Sequence, residues 1–186
     1  EKLSPLMLAD SRIHLFENGY QNSGENTLET YLAIVEKFAI SRALVVGYEG
    51  EPWAVGNNAY IANLKLTHSW ISPLGFLQAS DLSLGKLESL ANQGFVGISL
   101  YIFSTEDASI LQDIGDEIWQ WLVDKKWLIS VNSKGDHWLL WLEVLKRNPT
   151  LALLISHIGL LKIPTKPSSE SEIANDLRTI ASLVEF

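Results

Sequence analysis

The chain has 186 residues, 47% of them hydrophobic and 19% charged, which suits one domain with a substantial core rather than two. A formal net charge of −8 and the lack of any basic run argue against a nucleic-acid partner. No cysteine is present, so disulfides, thiolate catalysis and cysteine-rich zinc sites are excluded.

The N-terminal "EKLSPLMLAD" lacks the basic-then-apolar order of a signal peptide. No apolar run reaches the roughly 18 residues of a membrane span. A soluble, cytoplasmic protein with no membrane partner is the expectation. "DSRIHLF" (10–16) then reads as a first short strand, and alternation places Arg12 and His14 on one face with Ile13 and Leu15 on the other. In "TLETYLAIVEKFAI" (27–40), Leu28, Tyr31, Leu32, Val35 and Phe38 recur at spacings of three and four, and Thr27 is placed to cap the helix. "RALVVGY" (42–48) is a second strand, followed by Glu49 and Glu51, read as solvated loop charges, and by Trp53. "NNAYIANLKL" is helical, "SWISPLGFL" (69–77) a strand, and "SLGKLESLANQG" a helix closed by Gly94.

"FVGISLYIF" (95–103) is a fourth strand, with Ser99 and Tyr101 on one face. "DASILQDIGDEIWQWLVDKK" reads as one long helix, and "WLISV" (127–131) as a fifth strand running into "VNSKGDH", where Asn132 belongs either to a site or to a turn. "DHWLLWLEVLKRNP" is a helix stopped by Pro149, and "LALLIS" (151–156) a sixth strand leading directly into His157. A polar stretch, "TKPSSESE" (165–172), precedes a last amphipathic segment. His68 and His137 read as structural, and Trp119, Trp121, Trp127, Trp138 and Trp141 as core or interface.

Six strand–helix units of about 25 to 30 residues, with strands that show little alternation, imply a parallel α/β sheet covered on both faces. An open doubly wound sheet fits, and so does part of a (β/α)₈ barrel, which takes about 250 residues when complete. The glycines of "VGYEGEPWAVG" do not follow a dinucleotide-binding spacing and no phosphate-binding loop pattern occurs, so no nucleotide cofactor is indicated. In either architecture chemistry belongs at the carboxyl ends of the strands, which collects Arg12, His14, Ser99, Tyr101, Asn132 and His157.

"ADSRIHLF" resembles the first strand of amidohydrolase family 2, of the form D-x-H-x-H-x-F. "NQGFVGISLY" resembles its fourth-strand segment, and "LLISHIGLL" its sixth strand, with a histidine followed by glycine. The resemblance implies one partial TIM-type (β/α) barrel domain over residues 1–186, about six units with the last two absent. It implies a hydrolase acting on a small carboxylated, lactone or amide substrate. His157 and His14 would be the catalytic residues, near one another at the same end of the sheet. Arg12 would hold a carboxylate unless it forms a structural ion pair, with Ser99, Tyr101 and Asn132 as further substrate contacts.

Many members use a divalent metal such as zinc and some lactone hydrolases none; of the family's ligands only His14 and His157 are matched, because Arg12 replaces one histidine and Asn132 stands near another. The alternatives are a member kept as a binding module without chemistry, and a non-oxidative decarboxylase. Exposed edges on the first and sixth strands would favour a homo-oligomer or further chain.

Overall fold

A computed structural model of the chain describes residues 8–159 and 169–183; of the expected polar stretch 165–172, residues 165–168 lie outside them. The strands are β1 (Leu8–Ile13), β2 (Ile40–Val46), β3 (Ile71–Phe76), β4 (Gly97–Ile102), β5 (Leu128–Ser133) and β6 (Ala152–Ile155). The helices are α1 (Leu28–Phe38), α2 (Asn57–Thr67), α3 (Leu84–Asn92), α4 (Thr105–Asp113), α5 (Asp116–Asp124), α6 (Leu139–Arg147) and α7 (Glu170–Ala181). Strand and helix alternate as the sequence texture implies. Among the described residues, no helix is long and apolar enough to cross a membrane. The described residues pack as two compact units: one runs to Phe76 and includes Ser89–Ile98, the other comprises Leu77–Glu88 and the residues from Ser99 onward.

In the first unit, β1, β2 and β3 neighbour one another in chain order, and both pairs are parallel. Helix α1 begins where Thr27 accepts a hydrogen bond from the Thr30 backbone N–H at 3.3 Å. It ends at Ala39, whose φ of 50° turns the chain straight into β2. Ala43, Val45, Val46, Ile61, Ile71 and Leu74 are enclosed and form the core of this unit.

The β1–β2 pairing is irregular twice. Leu8 faces Ile40, Ala9 and Asp10 face Arg42 and Ala43, and Ile13 faces Val45. The offset between partners is therefore 32 residues at both ends and 33 between, so an extra residue on β2 is balanced by an extra residue on β1.

In the second unit β5 and β6 are parallel, with Ser130 opposite Leu154 and Val131 opposite Ile155. The Ser133 hydroxyl donates to the Ile102 carbonyl at 2.9 Å, tying β5 to β4. Trp119, Trp138 and Trp141 are enclosed, and the rings of Trp119 and Trp141 meet edge to face at 5.9 Å, in keeping with the core reading. The single helix expected over 107–126 is two: α4 stops at Asp113, Ile114 and Gly115 are extended, and α5 restarts at Asp116. Gly115 at the junction, followed by two acids that favour a helix N-terminus, accounts for the break.

Candidate functional site

In the first unit the site is built where β1, β2 and β3 end. Strand β1 stops at Ile13, three residues short of the expected Phe16. The Tyr31 hydroxyl of α1 donates to Asp10 Oδ2 at 2.9 Å, so Asp10 faces α1. Asp10 and Ile13 lie opposite Ala43 and Val45, which share a face of β2. Arg12 and His14, which flank Ile13, therefore face away from α1, and the extra residue in β1 is what separates them from Asp10. Both are half-buried. His14 Nδ1 lies 2.7 Å from the Val46 carbonyl oxygen. A carbonyl only accepts, so Nδ1 carries the proton and Nε2 is the basic nitrogen of the neutral ring.

Two asparagines at the start of α2 tie these strand ends together. Asn57 donates through Nδ2 to the Leu15 carbonyl at 2.8 Å and accepts from the Tyr48 N–H at 3.0 Å. Asn58 accepts from the Phe76 N–H at 2.8 Å and donates to the Phe76 carbonyl at 2.9 Å. Its side chain thus continues the ladder at the end of β3. Gly47 lies under this contact: a Cβ there would stand 2.5 Å from Asn58 Oδ1 and 2.9 Å from the Phe76 nitrogen. Glu49 is not a solvated loop charge; it accepts from the Asn58 N–H at 2.8 Å and compensates the positive end of α2. Sequence reasoning missed Asn57 and Asn58. The only local signal was a polar pair in the first turn of a helix, and their partners are up to 42 residues away.

Aromatic side chains cover the same end. Phe16 and Trp53 meet edge to face at 4.9 Å, Tyr20 and Trp53 at 5.0 Å, and Tyr48 lies 5.9 Å from Trp53 and 5.6 Å from Phe76. The His14 ring is parallel to that of Phe16 at 6.0 Å.

The second unit carries the remaining expected residues. Ser99 is enclosed within β4 and Tyr101, two residues on, is half-buried. Asn132 is a residue of β5 rather than of a turn, and is 9% exposed. Ser130 and Asn132, two residues apart, share one face of β5. Among the described residues, Ser99 Oγ, Ser130 Oγ, Asn132 Oδ1 and Ser156 Oγ are buried with no hydrogen-bond partner. Native interiors leave few such atoms. His157 follows β6 directly, is exposed rather than packed in the core, and has a left-handed backbone (φ 54°). Gly159, at φ 73°, leaves no room for a Cβ beside Ile180.

Zinc does not fit the side chains described. Among the described residues no three His, Cys, Asp or Glu side chains are grouped to hold a metal ion. Arg12 has no lone pair to offer, and the Asn132 amide is a poor zinc ligand.

No protein-family model and no curated protein matches the sequence. Solved structures do. An amidohydrolase from Burkholderia multivorans with bound zinc is similar with a TM-score of 0.71 at 13% identity, over 96% of this chain and 67% of that one. Amidohydrolase 2 from Bifidobacterium longum subsp. infantis is similar with a TM-score of 0.59 at 15% identity, over 97% and 70%. A probable 2-pyrone-4,6-dicarboxylic acid hydrolase from Acinetobacter baumannii, with citric acid bound, is similar with a TM-score of 0.57 at 14% identity, over 83% of this chain and 59% of that one. The chain shares the fold of these proteins. It is an α/β fold of the TIM type, and the chain spans about three fifths to seven tenths of the length of these proteins.

Proposed function

We propose that the chain is a hydrolase of the amidohydrolase type, adding water to a small carboxylated, lactone or amide substrate. The observation that carries the reading is His14. It stands just past the carboxyl end of β1, where TIM-type enzymes place their chemistry, and its Nδ1–H is committed to the Val46 carbonyl. That bond fixes the tautomer and turns Nε2 into a base for a water proton. As the water oxygen adds to the substrate carbonyl, the proton passes to Nε2, from which it is available to the departing oxygen or nitrogen. Arg12, on the same face, holds a substrate carboxylate; a guanidinium stays charged and pairs with both oxygens. The same reading assigns substrate contact to Ser99, Tyr101 and Asn132, and a second catalytic imidazole to His157.

A panel of carboxylated lactones, neutral lactones and amides, followed by proton release, tests the reading. His14→Gln is expected to lower kcat by about 100-fold or more while the circular dichroism spectrum is unchanged. Arg12→Leu is expected to raise KM for carboxylated substrates and leave neutral ones unaffected. Turnover that survives His14→Gln overturns the assignment.

A further inference from the structure

A groove of about 460 Å³ opens on the second unit, between the chain that follows β3 and the junction of α4 with α5. Ile110, Ile114 and Ile118 line it four residues apart, and an unbroken helix would run them into one stripe. The break at Gly115 interrupts that stripe, and Leu82 and Leu84 line the groove from the other segment. Ile114 and Ile118 are buried, Leu82 and Ile110 are half-buried and Leu84 is 37% exposed, so the apolar surface reaches solvent. For scale, a cavity of about 150 Å³ holds benzene, so this groove has room for two or three aliphatic side chains.

The charge along the groove has one sign. Asp113 and Glu117 line it, and no lysine, arginine or histidine does so. The Glu117 side chain folds back along the groove: a Cβ on Gly115, another lining residue, would fall on its carboxylate oxygens. Asp116 is engaged by Arg147, which donates to it through Nη1, whereas among the described residues neither Asp113 nor Glu117 forms an ion pair. Two carboxylates beside exposed leucine favour a partner that carries cations next to aliphatic side chains. A second copy of this chain is disfavoured, because a net charge of −8 would meet its own sign. An open groove also suits a peptide better than a small molecule, which sites commonly bury by 70–90%.

We propose that this groove docks a basic amphipathic peptide segment, with aliphatic side chains seated on Leu82, Leu84 and Ile110 and with lysines or arginines beside Asp113 and Glu117. The site is separate from the hydrolase reading and does not depend on it.

The probe is a labelled leucine–lysine peptide with leucines at spacings of three and four, titrated with the full chain and followed by fluorescence polarisation. Saturable one-to-one binding in the micromolar range is expected. Leu84→Ser, at an exposed position, should weaken it about fivefold or more and Asp113→Asn about threefold or more, with the circular dichroism spectrum unchanged. Glu36→Gln, which removes one exposed charge from α1 in the first unit, is expected to leave the affinity unchanged. Equal binding of a serine–lysine peptide of the same charge, an unchanged affinity in Leu84→Ser, or equal weakening by Glu36→Gln and Asp113→Asn would each overturn the proposal. Self-association of the chain that Leu84→Ser abolishes would overturn it too, by making a second copy the occupant.

Discussion

Asn58→Ala tests how the end of the first unit is held together. The side chain makes two bonds to one residue, accepting from the Phe76 N–H at 2.8 Å and donating to its carbonyl at 2.9 Å. A neutral hydrogen bond contributes about 0.5–1.5 kcal/mol net, and a buried group left without a partner costs about 1–3 kcal/mol. Phe76 is only 7% exposed, so water cannot readily replace the amide. The expected loss is about 2–4 kcal/mol, a large part of the ~5–15 kcal/mol that stabilises a typical domain. Urea unfolding measures it, with a lowered midpoint and an unchanged slope.

Gly47→Ala attacks the same contact from the other side, since its Cβ would stand 2.5 Å from Asn58 Oδ1. The two losses should fall short of additivity by about 1 kcal/mol or more. A loss below about 0.5 kcal/mol in Asn58→Ala, the ordinary range for surface substitutions, would refute the reasoning.

Three further outcomes are expected. Burial first, then the Asp10 hydrogen bond and charge, raise the Tyr31 phenol pKa, so its contribution is complete below the unfolded tyrosine value of about 10 and is lost as pH rises through it; urea midpoints between pH 8 and 11 should fall more steeply for the wild type than for Tyr31→Phe, and parallel curves would count against it. Ser99→Ala and Ser130→Ala each remove an enclosed hydroxyl that has no partner among the described residues, so stability should hold or rise by up to about 1 kcal/mol, whereas a loss of that size would reveal a bond. Protein dialysed without chelator should retain far less than one zinc per chain by metal analysis, with more retained by Arg12→His; stoichiometric zinc in the wild type would contradict the poor fit of the donors.

What could be read in the sequence was what depends on near neighbours. Thr27 as a cap, Gly94 after α3, the apolar strands and the alternation of strand with helix are local consequences of side-chain size and backbone preference. The positions of His14 and His157 at strand ends were legible for the same reason: an apolar run stops and a polar ring follows. The rest depends on distant partners. The bulge in β1 is set by β2, about 32 residues away, and Asp10 departs from simple alternation with Arg12 only because of it. The Asn58 contact needs Phe76, which no helical pattern announces. The apolar run before His157 announces the end of a strand, but not the left-handed backbone that leaves its ring exposed. Gly115 was visible, but the apolar period runs across it and hid the break between α4 and α5.

The paired irregularities of β1 and β2 make this stretch sensitive to chain length in a way that differs from its sensitivity to side-chain identity. Ser11 is exposed, and replacing it should cost little. Losing its codon is another matter. The one-residue excess on β1 would vanish while that on β2 remained, and the residues on one side of the gap would have to exchange faces. Either Asp10 would leave Tyr31, or Arg12 and His14 would turn toward α1. A mutational scan that includes single-residue deletions should therefore find the first strand far less forgiving of a missing residue than of an altered one.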